Sequence, residues 1–169
     1  MPHQPARGFT LIELLVVLVL IGTLAALVTL GSGLVGPTRT LDQEAQRLAG
    51  LVAVLADEAV LDGNEYGIRF TETGYDVLQY LPAQARWQVK PGQGHALPPA
   101  LSVRVKVDAA TQALATADEP DTTPAPQVVL YSSGELTPFE LSLSVRGGDA
   151  QQRRLISDGF ALPKVEALP

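Results

Sequence analysis

The 169-residue sequence contains no cysteine. That excludes disulfides, thiolate metal sites and cysteine nucleophiles together, and it leaves the redox compartment open. Histidine is nearly as scarce: His3 and His95 are the two present, far apart in sequence. Neither a histidine-rich metal centre nor a histidine-based catalytic triad is therefore expected. Charged residues make up 18% of the chain, and 12 basic residues face 18 acidic ones for a formal net charge of -6. A nucleic-acid binder normally carries a basic face, and this balance argues against one. The length suits one globular domain with a real core rather than two large ones.

What is present is a long apolar run. Between Phe9 and Gly36 the one charged residue is Glu13. The 22 residues from Phe9 to Leu30 would span about 33 Å as a helix, which matches a hydrocarbon core of about 30 Å. Arg7, in the short polar stretch before the run, predicts a cytoplasmic N-terminus and a C-terminal domain on the far side of the membrane. The run is longer than the apolar segment of an ordinary secretory signal, and no clean A-x-A site follows it. A carboxylate at mid-membrane costs about 2.5–3.5 kcal/mol, less near the interface, so Glu13 calls for a partner.

Beyond the run lies a glycine-rich stretch, residues 31–38. Gly31, Gly33 and Gly36 have the spacing G-x-G-x-x-G, but a membrane-length helix precedes them and Pro37 follows. A dinucleotide fingerprint needs a strand before it and a helix opening straight after it. The stretch reads instead as a kink or hinge. Helical signals then return, with Thr38 or Thr40 as N-cap and Asp42 and Glu44 in the first turn. Leu41, Ala45, Leu48, Val52, Leu55 and Ala59 form one apolar stripe, with Leu51, Val54 and Leu61 widening it. Gly63 is placed to cap the helix end near Asp62.

After Gly63 the hydrophobic period changes to two. Strands are expected at Tyr66–Phe70 and Tyr75–Tyr80 around a Thr73-Gly74 turn, at Trp87–Val89 and at Leu101–Val107. Others are expected at Gln127–Tyr131, Phe139–Val145 and Arg154–Ser157, with a turn at Gly147-Gly148 and Gly159–Ala161 continuing the last strand. Residues 91–100 read as a loop, 108–126 as an exposed mobile excursion rich in proline and small residues, and the tail after Ala161 as loosely held.

The start of the apolar run carries a further pattern: Arg7-Gly8-Phe9-Thr10-Leu11-Ile12-Glu13. It closely resembles the class III signal of type IV pilins and type II secretion pseudopilins. A weaker likeness, over Ser133-Gly134-Glu135-Leu136-Thr137-Pro138-Phe139 between two strands, is to the minor pseudopilins of the GspH (GspH/FimT) family. The resemblance implies an α+β pilin-like fold: a long N-terminal helix, transmembrane then amphipathic, packed on an antiparallel β-sheet domain. It implies cleavage between Gly8 and Phe9 by a prepilin peptidase, N-methylation of Phe9, and retention of the apolar helix. The new Phe9 amine and Glu13 stand one helical turn apart, and within a subunit or between neighbours they neutralise each other strongly in low dielectric. In the family, Glu13 would meet the Phe9 amine of an adjacent subunit and set the axial register of a filament.

The expected organisation is a cleaved leader (1–8), a transmembrane helix with a glycine-rich hinge (9–36), an amphipathic helix half (38–62) and a periplasmic β domain (63–169). The implied role is that of a minor pseudopilin at the tip of the type II secretion pseudopilus, assisting export of folded proteins across the outer membrane. The alternative is a FimT-like minor pilin of a type IV pilus, some of which take part in DNA uptake. Implied partners are the peptidase/N-methyltransferase, other major and minor pseudopilins, the inner membrane, exported proteins and the outer-membrane secretin. No nucleic acid, cofactor, metal or enzymatic activity is expected. Asp118, Glu119 and Asp121 read as solvated loop charges, His95 as a surface residue, and Arg153-Arg154 as a solvated basic pair. Ser132 and Ser133 do not form G-x-S-x-G, and no histidine is placed to serve them.

Overall fold

A computed structural model of the chain describes residues 11–32, 37–115 and 124–168. It divides into two compact units, 1–36 and 37–169. Within the first, α1 runs over Leu11–Ser32. The second is a two-layer α+β domain, with α2 (Pro37–Asp62) against antiparallel sheet.

α2 begins at Pro37, whose missing N–H is no loss in the first helical turn. Thr38 and Thr40 therefore lie inside the helix rather than capping it. The helix ends as the sequence suggests: Gly63 has φ +60°, and the Asn64 N–H closes on the Ala59 carbonyl at 3.1 Å. All six stripe residues are buried. Of the three residues expected to widen the stripe, Leu51 packs against the core but Val54 and Leu61 face outward. Their positions lie too far round the helix from the Leu48–Leu55 face.

The expected α+β packing of a helix on antiparallel strands holds, with the strands divided between two sheets. In the first, β1 (Tyr66–Thr71), β2 (Gly74–Leu81), β3 (Arg86–Val89) and β7 (Val128–Leu130) lie in the order β3-β2-β1-β7, with β4 (His95–Ala96) also on β2. In the second, β5 (Leu101–Val107), β6 (Ala110–Thr111), β8 (Phe139–Val145), β9 (Gly148–Ser157) and β10 (Lys164–Leu168) lie in the order β10-β9-β8-β5-β6. α2 packs against strands of both. Its stripe meets Ile68 and Phe70 of β1, Val128 and Leu130 of β7, Leu141 and Leu143 of β8, and Leu155 of β9 in one buried cluster.

Several local expectations are corrected. The β1–β2 turn is Glu72-Thr73, because Thr71 pairs with Gly74. Gly74 is glycine for a different reason: a Cβ there would stand 2.2 Å from the His95 carbonyl oxygen, where β4 crosses closely. Part of the expected 91–100 loop is thus a strand. The chain after Ala161 is not loose, since β10 pairs along β9. Its signal is faint because, among the described side chains of β10, Val165 is the one that packs on the core. Gly159–Ala161 forms a bend rather than a continuation of β9. β9 itself starts at Gly148, six residues earlier than its hydrophobic pattern shows. Of the expected excursion 108–126, residues 110–111 form β6 and residues 116–123 lie outside those described.

Candidate assembly site

α1 is apolar on every side. Each described side chain from Leu11 to Leu24 is exposed, Leu11 by 88% and the large residues after it by at least 42%. A helix hydrophobic all round belongs in an apolar surrounding, either lipid or a bundle of like helices. Glu13 is the acidic residue of its first turn, where the positive end of the helix dipole favours a carboxylate. The 22-residue backbone of α1 is about 33 Å long. Its side chains are described as far as Leu24, and among the described residues no helix is long and apolar enough to cross a membrane. Gly8 and Phe9, the expected cleavage and methylation residues, lie outside the described residues, as do Asp118, Glu119 and Asp121.

The globular unit is closed by polar ties that the sequence did not announce. Glu44 is buried on α2, and its Oε2 lies 2.9 Å from His95 Nε2 and 3.8 Å from Arg47 Nε. His95 is thus no free surface residue. The basic pair is equally committed: Arg153 pairs with Asp42 at the start of α2, and Arg154 Nη1 lies 3.7 Å from Glu140. Lys90 Nζ donates to Glu58 at 2.9 Å and sits 4.7 Å over the Tyr66 ring. The Glu58 hydrogen bond is the main reason its pKa rises above the ordinary 10.5. Gln127 extends the β1–β7 ladder with its side chain, accepting from Phe70 N at 2.8 Å and donating to Phe70 O at 3.2 Å. Among the described residues, no group of three or more histidines or carboxylates is placed to hold a metal.

The chain thus carries an apolar helix in one unit and a packed domain in the other, and several of the domain's polar side chains hold its fold. That is the chemistry of an assembling subunit. The family described as type II transport protein GspH matches residues 44–159, and the prokaryotic N-terminal methylation motif matches residues 4–29. The chain is 46% identical over 167 residues to the type II secretion system protein H of Pseudomonas aeruginosa, covering 96% of this chain and 97% of that one. The protein of the same name from Aeromonas hydrophila is 29% identical over 92% of this chain and 90% of its own. The crystal structure of the minor pseudopilin EPSH from the type II secretion system of Vibrio cholerae superposes with a TM-score of 0.64. It is 25% identical and covers 79% of this chain and 98% of that one. These likenesses favour the secretion reading over the FimT-type pilin. The methylation motif implies processing by a prepilin peptidase and assembly with other pseudopilins, and it is consistent with anchoring in the inner membrane. The chain belongs to the GspH family and is a minor pseudopilin of a type II secretion system.

Proposed function

We propose that this subunit sits at the tip of a short periplasmic pseudopilus and helps drive folded proteins through the outer-membrane secretin. The observation that carries the reading is α1: apolar on every described side, exposed, and charged only at Glu13 in its first turn. Residues 9–36 would be a single pass with a hinge, N-terminus cytoplasmic, leaving the domain from residue 38 onward in the periplasm. Before assembly the helix lies in the inner membrane. After assembly it packs among the helices of major and minor pseudopilins.

The prepilin peptidase/N-methyltransferase would cut between Gly8 and Phe9 and methylate the new amine. Gly8 offers no side chain to obstruct that bond. Glu13 then neutralises the Phe9 amine of a neighbour, and two charges that are costly in lipid become a register pin. The role is structural and needs no cofactor. Two substitutions in the native host test it. Glu13→Val should be cleaved normally yet fail to enter pseudopili and fail to support secretion. Gly8→Leu should remain in the membrane as precursor. Normal pseudopili from Glu13→Val would overturn the pairing, and normal processing of Gly8→Leu would overturn the scissile bond.

A further inference from the structure

β9 carries a charge where its alternation calls for an apolar side chain. Arg153 shares a strand face with Leu155, which lies in the core cluster with the α2 stripe. Its cross-strand neighbours are Leu143 of β8 and Ala167 of β10. The Arg153 side chain is 14% exposed. An arginine held that deep pays for its desolvation, and an apolar residue of similar size in its place is often neutral or stabilising. Core packing therefore gives no reason for a cation at this position.

Its contacts do give one. Arg153 Nε pairs with Asp42 near the start of α2, and Nη1 donates to the Gln152 carbonyl at 3.0 Å. Two residues earlier on the same strand face, Gln151 accepts from the Thr38 hydroxyl. Glu44 meets His95 Nε2 at 2.9 Å. Polar ties from Thr38, Asp42 and Glu44 thus all fall within the first two turns of α2.

The chain itself holds the two ends of α2 differently. At the far end α2 stops at Asp62 and β1 begins at Tyr66, so a short connection pins the helix to the first sheet. The Tyr66 hydroxyl adds a hydrogen bond to Asp62 at 2.7 Å. At the near end α2 begins at Pro37, and the chain enters it through residues 33–36, which include Gly33 and Gly36. A helix N-terminus opens readily, because its first N–H groups have no acceptor within the helix. Unwinding of 37–42 would stretch that segment from about 9 Å to about 20 Å. The ties from Thr38 and Asp42 to β9 oppose it.

We propose that Arg153 is a positioning residue for assembly. With Gln151 it fastens the start of α2 to β9 and confines bending to residues 33–36. It thereby keeps short the link between the globular unit and the helix that enters the filament. The inference rests on the pseudopilin reading and deepens it.

The test compares Arg153→Met, Asp42→Ala and Arg153→Lys with the wild type. Hydrogen exchange is read on the full chain in detergent, and export is read in a host strain where each chain replaces its own copy. Methionine keeps an apolar stem at position 153, and Asp42, 52% exposed, remains hydrated without its partner. The unfolding midpoint of Arg153→Met should therefore stay close to that of the wild type. The amides of 41–44 bond the carbonyls of the first turn, and they should exchange at least about tenfold faster. Those of 52–59 should exchange as before, and export should be lost. Asp42→Ala breaks the same tie from its exposed side and should reproduce both changes, whether or not Arg153→Met folds. Arg153→Lys keeps the charge and should restore slow exchange and export together.

Unchanged exchange at 41–44 in Asp42→Ala would overturn the positioning role. Faster exchange with normal export would do the same, as would equal acceleration along all of α2 with a lowered midpoint. So would an Arg153→Lys chain in which exchange and export do not recover together. Each of those outcomes leaves the pseudopilin reading standing. A wild-type chain that fails to restore export to a host lacking its copy would instead bring down that reading, and the positioning role with it.

Discussion

Glu44 on α2 and His95 on β4 meet at 2.9 Å, 51 positions apart in sequence. The Tyr75 ring packs against the imidazole at a centroid distance of 5.5 Å. The contact fastens a two-residue strand to the helix and supplies a partner to a carboxylate that is only 8% exposed. Removing that partner leaves the buried carboxylate with Arg47 Nε at 3.8 Å alone, and losing a hydrogen bond to a buried acceptor costs about 1–3 kcal/mol. His95→Ala should therefore lower the unfolding free energy by up to about that amount, seen as a lower denaturation midpoint. Adding Glu44→Leu should recover part of the loss, since the stranded group is then gone. An unchanged midpoint in His95→Ala would show that the contact contributes nothing.

The two faces of α2 should respond differently to truncation. Leu48 and Leu55 are 3% and 1% exposed, whereas Val54 and Leu61 are 55% and 83% exposed. Leu48→Ala or Leu55→Ala should cost about 2–5 kcal/mol. Val54→Ala and Leu61→Ala should stay within about 0.5 kcal/mol. Denaturant unfolding of the full chain in detergent measures both, and equal losses on the two faces would contradict the packing described.

The contrast shows what the sequence makes legible. A helix stripe such as Leu41 to Ala59 repeats a period over many turns, so its buried residues can be read directly. The Phe9–Glu13 signal is local too, a fixed order of residues at the head of an apolar run. Contacts between distant segments leave no such trace. Glu44 looks like an ordinary first-turn carboxylate until β4 delivers His95 to it. At Gln151 and Arg153, β9 is polar because it meets the start of α2, where Arg153 pairs with Asp42 and Thr38 donates to Gln151. Among its described side chains β10 contributes Val165 alone to the core, too few to show a period.

Gly159 should tolerate no side chain. Its φ is +95°, and a Cβ would stand 2.9 Å from Leu136 O and 3.0 Å from Pro138 Cγ. Gly134 has a comparable φ of +90°, but its nearest neighbour would be Val60 at 3.7 Å. Gly134→Ala carries backbone strain of about 1–3 kcal/mol, and Gly159→Ala carries the same strain plus a backbone clash. Thermal unfolding should thus rank Gly159→Ala clearly below Gly134→Ala. The reverse order would contradict the bend geometry.

Alkaline pH should loosen the domain through two of its four tyrosines. Burial raises the Tyr66 pKa above the ordinary 10.0, and its hydrogen bond to Asp62 at 2.7 Å raises it further. Burial also raises Tyr75, with the Glu44 charge adding to it. A folded pKa above the unfolded one means that this stability is full below about pH 10. It is lost as pH rises through the folded values. Ultraviolet titration should show two phenols ionising late, together with a falling unfolding midpoint, and Tyr66→Phe should remove one late phenol. Four phenols titrating together would contradict the burial of Tyr66 and Tyr75.

In the proposed assembly the apolar helix is kept and joins a filament through a new N-terminus at Phe9. Intact mass with N-terminal fragmentation, on protein purified from the membranes of its own host, is the decisive measurement. The expected chain begins at N-methylated Phe9. A chain beginning beyond residue 30 would mark an ordinary discarded signal and contradict the filament subunit outright.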